Sequence, residues 1–274
     1  MIYGTAWKKE RTADLVTAAL RAGFRAVDTA GQPKHYQEEG VGAALERVAS
    51  EPGLSRSDLY IQTKFTSLDG QDPARVPYRR DAPLAAQVAE SLARSLANLR
   101  TDHVDSLVLH SPLDTYAETL VAWRAMEGLT ASGQVRALGV SNLYEADLLR
   151  RLYQDAAIKP AVVQNRFYPA TGHDVEIRRF CREKGIVYQS FGTLTGNPKL
   201  LANRLVRDLA RARDASPEQV LYRLVMQLGI VPLNGTSSPE HLRADLAVLG
   251  WEDLPADAVQ AFRRLIGEPP GGSS

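Results

Sequence analysis

The chain has 274 residues, 44% of them hydrophobic and 24% charged, which is enough to build one large globular domain with its own core. Its 33 Lys and Arg against 32 Asp and Glu leave a formal charge of +1, so nothing in the charge balance argues for nucleic acid or an anionic membrane. The single cysteine, Cys181, excludes an internal disulfide and a thiolate-rich metal site. No apolar run reaches membrane-spanning length and "MIYGTAWKKERT" is not a signal peptide, so a cytoplasmic protein is expected.

In chain order, short β-branched runs alternate with helical patterns rich in Ala, Leu and Arg. "MIYGTA" predicts a first strand and "TADLVTAALRAG" the helix after it. "FRAVDT" and "LYIQTKF" predict strands two and three. In the next helix, "AAQVAESLARSLANLR", Val88, Leu92, Leu96 and Leu99 keep the spacing of a one-faced helix. "VDSLVLHS" predicts strand four, "YAETLVAWRAMEGLTASG" a helix, and "VRALGVSN", "AVVQNRF" and "GIVYQSF" strands five to seven. "SPEQVLYRLVMQLG" predicts a further helix and "GIVPLNG" the eighth strand. Gly23, Gly133 and Gly229 each precede a strand, where a left-handed residue closes a helix.

Strands alternating with helices imply parallel pairing through right-handed crossovers. Eight such units in about 250 residues predict a single-domain (β/α)8 TIM barrel over residues 1–267, with 268–274 ("EPPGGSS") a disordered tail. A doubly wound sheet is the competing architecture, but it needs a glycine-rich turn after the first strand. The only near match, "GVGAAL", places Gly40 and Gly42 inside the second predicted helix and reads as close packing. The longest irregular stretches are 66–82 and about 192–202. The first, with its prolines and mixed charges, is expected to form a mobile wall over the substrate.

The polar residues at the strand ends are Asp28, Lys64, His110, Ser141, Asn142 and, within strand six, Gln164. Singly, each has an ordinary explanation as a cap, a solvated charge or a satisfied core residue. A barrel brings all of these ends to one mouth, and core packing does not require such a gathering. Asp28 is placed to neutralise Lys64, and a cationic Lys64 is expected to lower the pKa of Tyr36, making it a proton donor near neutral pH. His110 is suited to orient a substrate oxygen. No side chain delivers hydride, so a nicotinamide cofactor is implied.

These residues resemble the aldo-keto reductase superfamily over almost the whole chain. "GTAW", "VDTA…Y…E…VG", "IQTKF", "LVLHSP" and "GQVRALGVSN" match its motifs in the family's order. The resemblance implies a catalytic tetrad of Asp28, Tyr36, Lys64 and His110. Gly4 and Thr5 would lie on the cofactor side, and Ser141, Asn142 and Gln164 would hold the nicotinamide carboxamide. It also implies NADP(H), with NAD(H) left open, a small-molecule carbonyl substrate, no metal, and a monomer or weak homo-oligomer.

Several positions depart from the family pattern. The loop from Asp28 to Tyr36 is long, and Tyr78 is a rival phenol. Gln189 stands before Ser190 where the family stacks an aromatic on the nicotinamide, so either Gln189 replaces the stack or Tyr188 or Phe191 makes it. The chain starts at strand one without the family's N-terminal hairpin, and its C-terminal loop is short. At the adenosine-phosphate clamp Leu233 and Asn234 replace Lys and Ser, and His241 replaces Arg. The remaining candidates there are Thr236, Ser237, His241, Arg243 and Asp245, on a helix started by Ser238–Pro239 or by Ser237 with Glu240. Carbonyl reduction is the leading reading. Two others stay open: a biosynthetic dehydratase or isomerase using the same acid–base set, and a non-catalytic nucleotide-binding regulatory barrel.

Overall fold

Branched and aromatic side chains suit a pleated backbone buried on one or both faces. Each of the eight predicted runs supplies one strand: β1 (Ile2–Gly4), β2 (Ala26–Asp28), β3 (Tyr60–Phe65), β4 (Val104–Leu109), β5 (Val135–Ser141), β6 (Val162–Arg166), β7 (Val187–Phe191) and β8 (Ile230–Asn234). In the computed structural model, which describes residues 1–51 and 53–269, they close in sequence order into one parallel barrel. The seam is made by β8 pairing with β1, Ile2 opposite Leu233.

The helices are α1 (Thr12–Ala22), α2 (Glu38–Ala49), α3 (Leu84–Leu99), α4 (Tyr116–Ala131), α5 (Ala146–Asp155), α6 (Val175–Lys184), α7 (Pro198–Leu201), α8 (Arg204–Ala212), α9 (Pro217–Gln227), α10 (Pro239–Ala247) and α11 (Ala256–Leu265). The apolar core lies between barrel and helices. Ile61, Leu107, Leu138 and Val163 are buried there with Leu20, Leu92, Trp123 and Leu149 from the helices. The three predicted helix stops have positive φ, +119° at Gly23, +77° at Gly133 and +78° at Gly229. Gly42 is a packing glycine, as expected: a Cβ there would fall 2.1 Å from the carbonyl oxygen of Asn98, so α2 and the end of α3 meet backbone to backbone.

Two expectations need correction. Segment 66–82 is tied down rather than loose. Buried Tyr78 donates its hydroxyl to the Thr66 carbonyl at 2.7 Å, and buried Gln71 donates to the Gly31 and Thr66 carbonyls at 2.8 and 3.2 Å. Arg79 grips Glu90 of α3. Each of these bonds would have to break before the segment could swing. Glu268, expected in the tail, is buried against Arg178 at 2.8 Å and Arg182 at 3.2 Å, with Arg263 also in contact. Three arginines hold it in the body of the protein, while residues 270–274 lie outside the described residues. No helix among the described residues is long and apolar enough to cross a membrane.

Candidate active site

Side chains alternate along a strand, so Tyr60, Gln62 and Lys64 of β3 share the face that looks into the barrel. Gln62 pairs in register with Asp28 of β2, which is itself opposite Gly4 of β1. The amide and hydroxyl of Thr5 both bond the Asp28 carbonyl, at 3.0 and 2.9 Å, which fixes the end of β2. Gly4 and Thr5 therefore support the site through Asp28.

Lys64 is 1% exposed and its Nζ donates to both oxygens of Asp28, at 2.7 and 2.6 Å, and to the Thr29 carbonyl at 2.8 Å. Burial lowers the Lys64 pKa and Asp28 opposes that shift. The predicted ion pair is present, and its three bonds satisfy a buried ammonium. Asp28 has further partners that the sequence reading missed: Gln62 and Gln164 each direct an amide nitrogen at Oδ1, at 2.7 and 2.9 Å.

Tyr36 stands beside this pair with its ring centroid 5.2 Å from Lys64 Nζ. Its lengthened approach is fastened at several points. The Gly31 amide donates to the Lys64 carbonyl at 3.0 Å, and the amides of His35 and Tyr36 both bond the Gln32 carbonyl at 3.0 Å. The long loop is therefore a fastened turn that ends with the phenol beside the ion pair. The expected tuning of Tyr36 has the opposite sign. Its pKa is raised, first by burial and then by the Asp28 charge, because the carboxylate cancels the lysine's field. Tyr78, the rival phenol, is engaged with Thr66 and packs on Phe65, away from the ion pair.

His110 closes the other side, its ring 6.0 Å from that of Tyr36 and inclined at 68°. Burial, then the charges of Lys64 and His35, push its pKa down to about 3. The imidazole is neutral at ordinary pH. Its Nδ1 lies 2.6 Å from Thr66 Oγ1, a partner that the sequence reading also missed. Asn142, at φ +51°, donates to the His110 carbonyl at 2.8 Å and accepts from Tyr144 at 3.1 Å. Ser141 donates to the Gln164 carbonyl at 2.6 Å. Tyr36, Lys64, His110, Ser141, Asn142 and Gln164 thus all converge on the C-terminal end of the barrel.

Strand β7 separates the three candidates for the stack by face. Tyr188 points outward and bonds Asp174 at 2.9 Å, so it takes no part in the mouth. Gln189 is buried in the lumen opposite Gln164, and Ser190 bonds Thr193 at 2.7 Å. Phe191, two residues beyond Gln189 on the same face and half-buried, is the aromatic of this strand at the mouth.

Beyond β7 and β8 runs a cleft of about 540 Å³, whose lining includes Thr193, Glu218, Asn234, Thr236, His241 and Asp245. Among the candidates, Thr236, His241 and Asp245 line it, while Ser237 and Arg243 are exposed and do not. The helix start is the Ser238–Pro239 alternative: Ser238 Oγ accepts from the His241 amide at 3.3 Å. No Lys or Arg among the described residues lines the cleft, although Lys8 reaches the Gly235 carbonyl at its edge. No cluster of metal-ligating side chains occurs among the described residues.

Comparison with known proteins accords with this geometry. The family model "Aldo/keto reductase family" matches residues 1–266. An aldo-keto reductase of Mycolicibacterium vanbaalenii is 33% identical over 251 residues, 91% of this chain and 81% of its own. The glyoxal reductase of Bacillus subtilis is 34% identical over 219 residues, 80% of this chain and 70% of its own. A crystal structure of an aldo/keto reductase from Brucella melitensis superposes with a TM-score of 0.81 at 25% identity, covering 96% of this chain and 93% of that one. The chain belongs to the aldo/keto reductase family and is an oxidoreductase acting on carbonyls.

Proposed function

We propose that the chain reduces an aldehyde or ketone to an alcohol with NAD(P)H, Tyr36 giving the proton. The observation that carries this reading is the Lys64–Asp28 pair, with Nζ 2.6 Å from Oδ2, set beside Tyr36 in one buried mouth. The donor set suits a nicotinamide. Ser141, Asn142 and Gln164 gather beside the ion pair, and no donor among the described residues bonds Gln164 Oε1, which leaves an acceptor for a carboxamide N–H. The cleft of about 540 Å³ beyond β7 and β8 offers room for the rest of a dinucleotide. When bound, the nicotinamide supplies the hydride.

The chain's own residues handle the proton. Because the Tyr36 pKa is raised, its hydroxyl stays protonated through the neutral range and is ready to donate to the substrate oxygen. Lys64 fills the space beneath the ring with a compensated charge, so the phenolate left after transfer forms next to an ammonium. Neutral His110 shares a hydrogen bond with Thr66 Oγ1 through Nδ1; the tautomer in which Thr66 donates puts the imidazole proton on Nε2, where it serves the carbonyl oxygen. The resemblance to a glyoxal reductase makes small reactive aldehydes the first substrates to try.

Tyr36→Phe tests the reading. Turnover should fall by roughly 10²–10⁴ while dinucleotide affinity is kept, the scale of general acid catalysis. Full activity in that variant removes Tyr36 as donor. Product formed without any dinucleotide replaces reduction with a dehydration or isomerisation.

A further inference from the structure

Three amides and one carboxylate share the barrel lumen, and the carboxylate dictates how all three are oriented. An ionised carboxylate only accepts hydrogen bonds, so both amides on Asp28 must present NH₂ to it. Gln62 Nε2 does so at 2.7 Å and Gln164 Nε2 at 2.9 Å. Each NH₂ then has a second hydrogen, and both go to Gln189 Oε1, at 2.8 and 2.9 Å. With its oxygen taken twice, Gln189 must turn its own NH₂ elsewhere, and it donates to Gln62 Oε1 at 3.1 Å. That oxygen also accepts from the Tyr60 hydroxyl at 3.2 Å. The oxygens of Gln62 and Gln189 are therefore saturated. Gln164 Oε1 is the amide oxygen of the three without a donor among the described residues.

Reversing Gln164 would set its oxygen against both Asp28 and Gln189 Oε1, two acceptors facing a third. The orientation therefore follows from hydrogen-bond chemistry, with no choice left at Gln164. Gln62 and Gln189 are buried, at 0% and 2% exposure, so water does not offer an alternative partner.

We infer that Gln62 and Gln189 are positioning residues that hold Gln164 Oε1 free to accept, so that the site selects a nicotinamide carrying an amide N–H over a ring substituent that has none. The inference rests on the nicotinamide reading above. It extends that reading to Gln189, which bonds Gln164, and to Gln62, which bonds Gln189.

The experiment compares two dinucleotides on the whole protein: NADPH, and the reduced 3-acetylpyridine analogue, whose ketone replaces the carboxamide. Dissociation constants are measured by protein fluorescence quenching for wild type, Gln189→Leu and Gln62→Leu. Wild type should prefer the carboxamide by about tenfold, the scale of one hydrogen bond in a dry site. In a folded Gln189→Leu protein Asp28 still accepts from Gln164 Nε2, so the preference should fall by about threefold rather than vanish, through weaker NADPH binding with the analogue unchanged. Gln62→Leu cuts the same chain of bonds at another link and decides the matter if Gln189→Leu does not fold. A merely structural role would weaken both ligands together and overturn the inference. So would equal binding of the two by wild type. A wild type that binds neither overturns the nicotinamide reading, and this one falls with it.

Discussion

The two ends of the candidate site are built by opposite rules. At the lumen end one carboxylate sets the arrangement: Asp28 fixes an ammonium at 2.6 Å and orders Gln62, Gln164 and Gln189 in turn. At the β8–α10 end the cleft is roomy. It is lined by two carboxylates, Glu218 and Asp245, and an imidazole, His241, with no Lys or Arg among the described residues. Asp245 is occupied by Asn234 Nδ2 at 2.6 Å. Proton transfer needs angstrom-level placement and gets it from a closed network. Holding one end of a long ligand tolerates looser geometry, because its other contacts share the task. The over-determined end should respond to single substitutions with large losses, and the sparse end should accept improvement.

The largest effect is expected at Asp28. Asp28→Asn removes the counter-charge of buried Lys64, leaving it one amide oxygen and the Thr29 carbonyl, and faces two amide NH₂ groups with a side chain that can itself donate. Breaking a buried pair costs about 3–5 kcal/mol, so the melting temperature should fall by roughly 10 °C. Lys64→Met should cost less, because Gln62 and Gln164 still satisfy the carboxylate. Thermal melts of both variants check the order, and the reverse order would mean that the amides do not support Asp28.

The next effect concerns pH. Reduction needs the phenol of Tyr36 protonated, and a raised pKa keeps it so throughout the neutral range. Alcohol oxidation needs the phenolate, whose fraction grows about tenfold per pH unit below the pKa. Oxidation should therefore climb about a hundredfold from pH 7 to pH 9 without levelling. Reduction should stay flat over the same interval. Steady-state kcat/KM profiles in both directions test this, and an oxidation plateau near neutrality would place the donor elsewhere.

The smallest effect belongs to the sparse end. His241→Arg adds a fixed cation to a cleft that no Lys or Arg lines among the described residues, and it should tighten NADPH about tenfold, the low end for a charge-assisted hydrogen bond. NADH, without the 2′-phosphate, should be unaffected. Equal tightening of both would show that position 241 faces the pyrophosphate or the adenine.

Much of this was legible in the chain because local chemistry carried it. All eight strand runs, Gly42 as a contact between helices, and Asp28 with Lys64 on neighbouring strands follow from period, spacing and charge. Gln62 also carried a signal, since it sits two residues before Lys64 and must share its face. Gln189 was harder to place: its partner Gln164 lies on another strand, and only the register reveals the pair. Thr66 needed the distance to His110. The sign of the Tyr36 shift was misread because nearness to a lysine was visible and the cancelling carboxylate with its burial was not. The stillness of 66–82 was hidden for a similar reason. Prolines and charges suggest a loop, but Tyr78 and Gln71 bind backbone carbonyls that no composition announces.

The barrel's seam carries a consequence for how the protein is made. Tyr3 donates its hydroxyl to the Thr236 carbonyl at 2.9 Å across 233 residues of sequence, and Lys8 reaches Gly235 beside it. Contacts this distant in sequence bear a large loop-closure cost and are slow to form. Nascent chains therefore hold β1 unpaired on one edge until β8 arrives. Asn234, at the end of that seam, and Gly235 and Thr236 just past it are also a wall of the cleft. A half-wound barrel has no such wall, so a ligand filling the cleft recognises only the finished ring and draws the closing equilibrium towards it by mass action.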